Sequence, residues 1–271
     1  MLLPARLRPA VATIYWFART ADDFADEGDL APAERLSRLD AYRDALRAIA
    51  EGRRSEAPLF ASLAEVIHAH RLPIHPFHDL LDAFSQDVVQ ERYAHFGAVL
   101  DYCRRSANPV GLLLLHLFGA ATRGNVQSSD AICTALQLVN FWQDIALDFR
   151  KGRVYLPQDE MARFGVTERH IAEGRADDAW RALMSFQVSR ARTLLESGAP
   201  LAGALGGRIG WEVRMIVQGG LRILERIEQV GGDVFRRRPV LRTPDWLIMF
   251  WRCALGSRGP DHAADVRDGG D

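Results

Sequence analysis

The sequence predicts an all-α protein. Apolar residues recur at helical spacing along nearly the whole chain, and runs of β-branched and aromatic residues with period two are missing. Prolines 9, 32, 58, 73, 76, 109, 157, 200, 239 and 244 fall at or near segment edges, where a helix tolerates them. The first helix starts near Pro9 and stops at Gly28, which suits a C′ position. Residues 33–50 place Leu36, Leu39, Tyr42, Ala45, Leu46 and Ile49 on one stripe, with Arg and Asp between them. Segments 59–70, 77–93, 95–105, 110–122, 129–149, 177–196 and 211–229 read the same way. Pro109 ends or kinks the helical run it interrupts. Ser128 or Ser129 is the expected cap of the 129–149 helix, which ends before Gly152. Residues 153–157, Arg-Val-Tyr-Leu-Pro, are the only extended-looking piece. With no linker-like stretch between two halves, the reading is one all-α domain of about ten helices over residues 1–255. Residues 256–271, rich in Gly, Asp and Arg, read as a disordered tail.

Composition narrows the function. Of 271 residues 48% are hydrophobic and 25% charged, which excludes wholesale disorder. Acidic residues number 35 and basic residues 34, so the basic excess of a nucleic-acid-coating protein is missing. Lys151 is the only lysine, a bias best explained by a GC-rich coding sequence. Cys103, Cys133 and Cys253 lack any C-x-x-C spacing and read as buried free thiols of a reducing cytosol. The N-terminal apolar stretch is broken by Pro4, Arg6, Arg8 and Pro9, so it does not read as a signal peptide. The longest apolar stretches, 110–121 and 246–251, are too short to span a bilayer, which takes about 20 residues. The second is the better candidate for peripheral contact with the inner face of the cytoplasmic membrane. Neither a P-loop nor a G-x-G-x-x-G pattern occurs, and the histidines around Pro73 have no ligand-like spacing.

Two helix ends carry the chemistry. Asp22 and Asp26 lie four apart near the end of the first helix; Asp144 and Asp148 repeat the spacing near the end of another. Like charges at that spacing repel, and the helix dipole disfavours anions at a C-terminus. A sequence that breaks local rules twice, both times among apolar neighbours, marks a functional site. Mg²⁺ makes the arrangement favourable, because it takes a few carboxylates and fills its shell with water and substrate phosphate. Two pairs facing one cavity would hold two or three ions and a diphosphate, and would ease departure of that leaving group.

Neighbouring residues leave alternatives open. Arg19 fits either a diphosphate contact or an intrahelical salt bridge to Asp22 or Asp23; Lys151 and Arg153 fit either diphosphate binding or a favourable charge at a helix C-terminus. Asn140 is a neutral oxygen ligand or a helix-bonded core amide. Residues 102–111 form a polar break, and Phe84, Gln86, Asp87, Gln90 and Tyr93 suit a cavity wall or an ordinary amphipathic helix.

Two phrases resemble the squalene and phytoene synthase family, the head-to-head branch of the all-α isoprenoid synthases. They are Tyr15-x-x-x-Arg19-x-x-Asp22-Asp23-x-x-Asp26 and Gln137-Leu138-x-Asn140-x-x-x-Asp144-x-x-x-Asp148-x-x-x-Gly152-Arg153-x-Tyr155-Leu156-Pro157. The stretches 17–29, 102–111 and 140–144 are more particularly similar to the bacterial hydroxysqualene synthases of hopanoid pathways, with Ser106-Ala107-Asn108 and Gln143 where the wider family tends to have Val-Ala-Gly and arginine.

The resemblance implies a helical bundle with a central cavity and presqualene diphosphate as the substrate. It implies Mg²⁺ on Asp22, Asp26, Asp144 and Asp148, which together with Asn140 form the catalytic set. Tyr15, Arg19, Lys151, Arg153 and Tyr155 are then the diphosphate contacts, and water captures the rearranged cation to give hydroxysqualene. Arg104, Ser106, Asn108 and Gln143 are the candidates for lining the cavity or placing that water. Family members carry a segment ahead of the position of Leu2 that lies over the diphosphate, and it is expected to be missing here. Neighbouring squalene-pathway enzymes are the implied protein partners. Two other readings stay open: head-to-head condensation of allylic diphosphates to presqualene diphosphate, squalene or phytoene, and a catalytically silent helical partner protein.

Overall fold

A computed structural model describes residues 4–236 and 238–255. It is all-α, as the periodicity predicts, and the described residues contain no strand; one isolated parallel bridge joins Arg92 and Val154. The expected disordered tail falls on 256–271, outside the described residues.

After a 3₁₀ turn at Ala5–Leu7, the first six helices are α1 (Arg8–Asp26), α2 (Pro32–Ala50), α3 (Pro58–His70), α4 (His75–Val89), α5 (Phe96–Ser106) and α6 (Asn108–Leu117). The long α7 (Arg123–Arg150) follows, then the short α8 (Gln158–Arg163) and α9 (Glu168–Ala172). The chain continues through α10 (Asp178–Gly198), α11 (Leu201–Leu205), α12 (Gly207–Gln229) and α13 (Thr243–Leu255). Prolines occupy the first turn of α1 to α4 and of α6, where a missing N–H costs nothing.

Three boundaries differ from the sequence reading. Helix α7 begins at Arg123 behind Thr122, whose hydroxyl accepts the Asn125 N–H at 3.3 Å. Ser129, expected as a cap, is buried within α7, and a Cβ on Gly111 would lie 2.3 Å from its Oγ. The serine is there because α6 and α7 approach closely and only small residues fit. Helix α4 stops at Val89 rather than 93, because Glu91 and Tyr93 turn their carbonyls to the N–H groups of Val154 and Gln158, both at 2.9 Å. Helix α6 stops at Leu117 and Gly119 takes φ 66°. The helices at 158–163, 168–172, 201–205 and 243–255 were not legible from periodicity. Three of them are too short to show a stripe.

Two cores flank the site. One joins α1 to α4 with α6, and Phe17 stands at its centre, fully buried, with the rings of Tyr42, Phe60 and Phe77 at 5.5, 6.3 and 5.3 Å. The other surrounds α7, which packs most extensively along α10 and also meets α5, α6 and α12. On α1 the buried stripe is Ala10, Ile14, Phe17, Ala21 and Ala25, so Asp22 and Asp26 fall at its edge. On α7, Phe141, Trp142 and Ile145 are buried, which leaves Asp144 and Asp148 at a matching edge.

Because Phe17 fixes the helix carrying one acid pair, Phe17→Ala is expected to lower the unfolding free energy by about 3–5 kcal/mol in urea titration. A loss under about 1 kcal/mol would mean that the aromatic cluster does not anchor α1.

Candidate active site

The four aspartates line one cleft of about 170 Å³, with Asp87, Asn140 and Arg153 among its other walls. Asp22 and Asp26 come from the last turns of α1, Asp144 and Asp148 from those of α7. Both helix ends are chemically answered. Arg35 of α2 donates to the carbonyl of Phe24 in the last turn of α1 at 3.0 Å and to those of Gly28 and Leu30 beyond it at 2.5 and 3.0 Å. After α7, Gly152 takes φ 82°, a conformation that glycine adopts without strain, and the chain doubles back. That reversal lets Lys151 and Arg153 reach Asp26 on the other helix, at 2.9 and 2.6 Å. The two cations therefore tie α7 to α1 instead of simply neutralising their own helix end.

Arg19 adopts the salt-bridge alternative, with Asp22, Asp23 and Glu27 at 3.3, 2.6 and 2.7 Å. Asp144 is gripped in fork fashion by Arg238, whose Nη2 donates to Oδ2 at 2.9 Å while Nε donates to Oδ1. Charge is not balanced evenly. Burial, reinforced by Asp26, pushes Asp22 up to about 6; burial, reinforced by Asp144, pushes Asp148 up to about 7. At Asp26 burial pulls upward too, but the Lys151 and Arg153 contacts outweigh it and hold the carboxyl below its ordinary value.

No group of three or more His, Cys, Asp or Glu among the described residues converges as a preformed ion cage. The acids stand as pairs, a donor set that suits an ion completing its shell with water and phosphate.

Beneath the acids lies a polar floor whose members the sequence offers separately, Asp87 as a cavity-wall candidate and Tyr155 as a site residue, without showing that they meet. Asp87 of α4 is buried, and its two oxygens accept hydroxyl protons from Tyr102 at 2.5 Å and Tyr155 at 3.0 Å. Tyr155 also stacks on Phe141 with centroids 3.8 Å apart. The Tyr155 hydroxyl, expected as a diphosphate contact, is thus engaged by Asp87 on the wall of the cleft. A second cavity of about 300 Å³ adjoins the cleft, sharing Asp22, Tyr102 and Gln137 with it. Tyr15, Arg19, Phe84 and Ser106 complete most of its wall.

Three of the expected cavity residues are placed elsewhere. Arg104 is 70% exposed and paired with Asp101, because its position on α5 faces solvent. Gln143 is buried, turned away from the cleft, and donates to the Pro239 carbonyl. Asn108 accepts the Thr134 hydroxyl at 2.9 Å, fixing α6 to α7. Only Ser106 of that group reaches the cavity. Arg238 was missed; its one sequence signal is the basic run at 236–238.

A sequence profile of the squalene/phytoene synthase family matches residues 1–245. The 15-cis-phytoene synthase of Synechococcus elongatus is 32% identical over 258 residues, covering 91% of this chain and 82% of that protein. A phytoene synthase of Mycobacterium bovis is 34% identical over 210 residues, covering 76% and 68%. Among solved structures, squalene synthase HpnC from Alicyclobacillus acidocaldarius superposes with a TM-score of 0.80 at 36% identity, over 85% of this chain and 86% of that one. A dehydrosqualene synthase superposes with a TM-score of 0.84 at 23% identity, over 95% and 90%, which shows the shared fold.

The raised carboxyls give the site a pH signature. Asp22, Asp87 and Asp148 hold their protons to about 6, 6 and 7 in the folded chain, against 3.8 for a free side chain. The native state then binds more protons than the unfolded one. The stability these groups contribute is whole below about pH 4 and is lost as pH rises through about 6 to 7. Without divalent cations, Tm should fall between about pH 5 and pH 8, and Asp148→Asn should flatten the fall. An identical slope in that variant would contradict the assignment.

Proposed function

Since this chain belongs to the squalene/phytoene synthase family, whose members process prenyl diphosphates, we propose that it converts presqualene diphosphate and water to hydroxysqualene and diphosphate. The observation that carries the reading is the pairing of a four-aspartate cleft with an adjoining cavity that shares Asp22, Tyr102 and Gln137 with it. A diphosphate head suits the first compartment, and the second, with Tyr15, Phe84 and Tyr102 on its wall, suits the part of the hydrocarbon next to that head. The particular motif residues at 17–29 and 102–111, and 36% identity to squalene synthase HpnC, support the finer assignment. The reading takes residues 1–255 as one synthase domain.

Asp22, Asp26, Asp144 and Asp148 are the residues that would hold Mg²⁺. Their donor set fits, being all carboxylate oxygen, with two members, Asp22 and Asp148, left short of compensating charge. Bound there, the ion neutralises the diphosphate and so makes it a better leaving group. Asn140 adds a neutral oxygen on the same cleft wall. Lys151, Arg153 and Arg19 already stand at the acids, where they would steady the diphosphate as it departs. Tyr15, at the rim of the second cavity, completes that set. Phe84 and Tyr102 offer aromatic surface to the hydrocarbon.

Peripheral contact with a membrane is part of the proposal, because an apolar substrate must be delivered. The solvent face of α13 supports it, with Trp246, Leu247, Phe250 and Trp251 all more than half exposed. No helix among the described residues is long and apolar enough to cross a membrane.

Condensation of allylic diphosphates is the second reading, favoured by curated relatives named phytoene synthases at 32% and 34% identity. Mass spectrometry of products separates the two. Presqualene diphosphate with Mg²⁺ should give a C30 alcohol and farnesyl diphosphate alone little turnover; squalene or phytoene from either precursor would overturn the proposal.

Asp22→Ala and Asp144→Ala should each lower kcat by about 10²-fold or more, the cost typical of removing a charge-stabilising group, with helical circular dichroism unchanged. A gain in Tm is expected only for the first, whose carboxyl is strained upward; Asp144 loses its Arg238 fork.

A further inference from the structure

Asp87 has the features of a proton acceptor aimed at the boundary between cleft and cavity. Its carboxylate is buried, and each oxygen receives one phenolic proton, from Tyr102 at 2.5 Å and from Tyr155 at 3.0 Å. Among the described residues it forms no ion pair, and Arg153, the cation that acts on it most, is bonded to Asp26. The titratable and charged groups facing it are Arg153 and Asp26 across the cleft and the phenols of Tyr93, Tyr102 and Tyr155. Burial, only partly offset by Arg153 and the two phenols, pushes it up to about 6, so it is ionised and basic near neutrality.

A phenol has one proton. Tyr102 gives its own to Asp87, so towards the substrate compartments its oxygen offers lone pairs alone. Tyr102 lines both compartments. One helical turn further along α5, the Ser106 hydroxyl lines the second cavity, buried and without a hydrogen-bond partner among the described residues. A water held there donates one hydrogen to the Tyr102 oxygen, and its own lone pair is left free to attack an electron-poor carbon. Tyr102 cannot serve as a free phenolate, because burial and the negative charge of Asp87 push its own ionisation far upward.

We propose that Asp87, acting through the Tyr102 hydroxyl, accepts the proton given up by the water that quenches the substrate carbocation. The inference rests on the hydroxysqualene reading. As the water oxygen bonds to carbon, its O–H proton passes to the Tyr102 oxygen, and the original Tyr102 proton passes to Asp87 Oδ2. The electron pair of the broken O–H bond stays on the product hydroxyl, nothing is oxidised or reduced, and Tyr102 ends as it began. Asp87 returns the proton to solvent when product leaves.

The test counts alcohol formed per diphosphate released, with the full chain, presqualene diphosphate and Mg²⁺. Asp87→Asn and Tyr102→Phe are each compared with the parent, and the readout is normalised to the diphosphate each one releases. The alcohol-to-diphosphate ratio should fall by about 10²-fold or more, the span of a positioned proton transfer, and C30 hydrocarbons should replace the alcohol. Should Asp87→Asn fail to fold, Tyr102→Phe still carries the test, since its ring keeps its packing on Phe141 and Tyr155. An unchanged ratio in the variants, whether or not both yields drop together, overturns the relay alone. A parent protein that releases diphosphate without making alcohol overturns the relay and the hydroxysqualene reading together.

Discussion

Negative charge concentrated where two helices end is the condition to which the surrounding structure responds. Helices α1 and α7 each present a pair of carboxylates at the end where the peptide dipoles already point negative. Left alone, such an arrangement would repel itself apart. Arginine or lysine is therefore set against it from several directions: Arg35 on the carbonyls closing α1, Lys151 and Arg153 across to Asp26, Arg238 onto Asp144, and Arg19 among Asp22, Asp23 and Glu27. Compensation stops short at Asp22 and Asp148, which keep carboxyls that ionise reluctantly. A stable protein has little reason to leave that residue of repulsion unless something else arrives to relieve it.

The division of space follows from the same placement. The acids sit at the edges of two buried stripes, so the polar cleft is bounded by apolar cores on both sides. Tyr102, Asp22 and Gln137 form the shared wall between this cleft and the adjoining cavity. A substrate with a charged head and an oily body meets a matching change of environment within one molecule's length.

Much of this was legible in the sequence, and for identifiable reasons. The i, i+4 acid pairs are local, so spacing alone placed each on one helix face, and the family phrases placed the two in one site. What escaped was non-local. Spacing leaves Asp87 as either a cavity-wall residue or one more polar residue of an amphipathic helix, and only the fold shows two phenols converging on it from α5 and from the segment after Gly152. Arg238 lay in a basic run with no periodicity, 94 residues from the acid it grips. Gln143 is a candidate because the wider family tends to have arginine there; on a helix the residue next to Asp144 points about 100° away, and here it points into the protein. Arg104 and Asn108 failed for the same reason, sharing the polar break with Ser106 but not its direction.

The neighbours Gln143 and Asp144 take hold of Pro239 and Arg238, two consecutive residues of the segment between α12 and α13. One attachment is a neutral amide on a backbone carbonyl; the other is an ionic fork between mobile side chains. They answer to different disturbances. A change of charge at Asp144 loosens the fork and leaves the amide tether in place. The guanidinium of Arg238 can then swivel to a new anion while its backbone stays moored to α7.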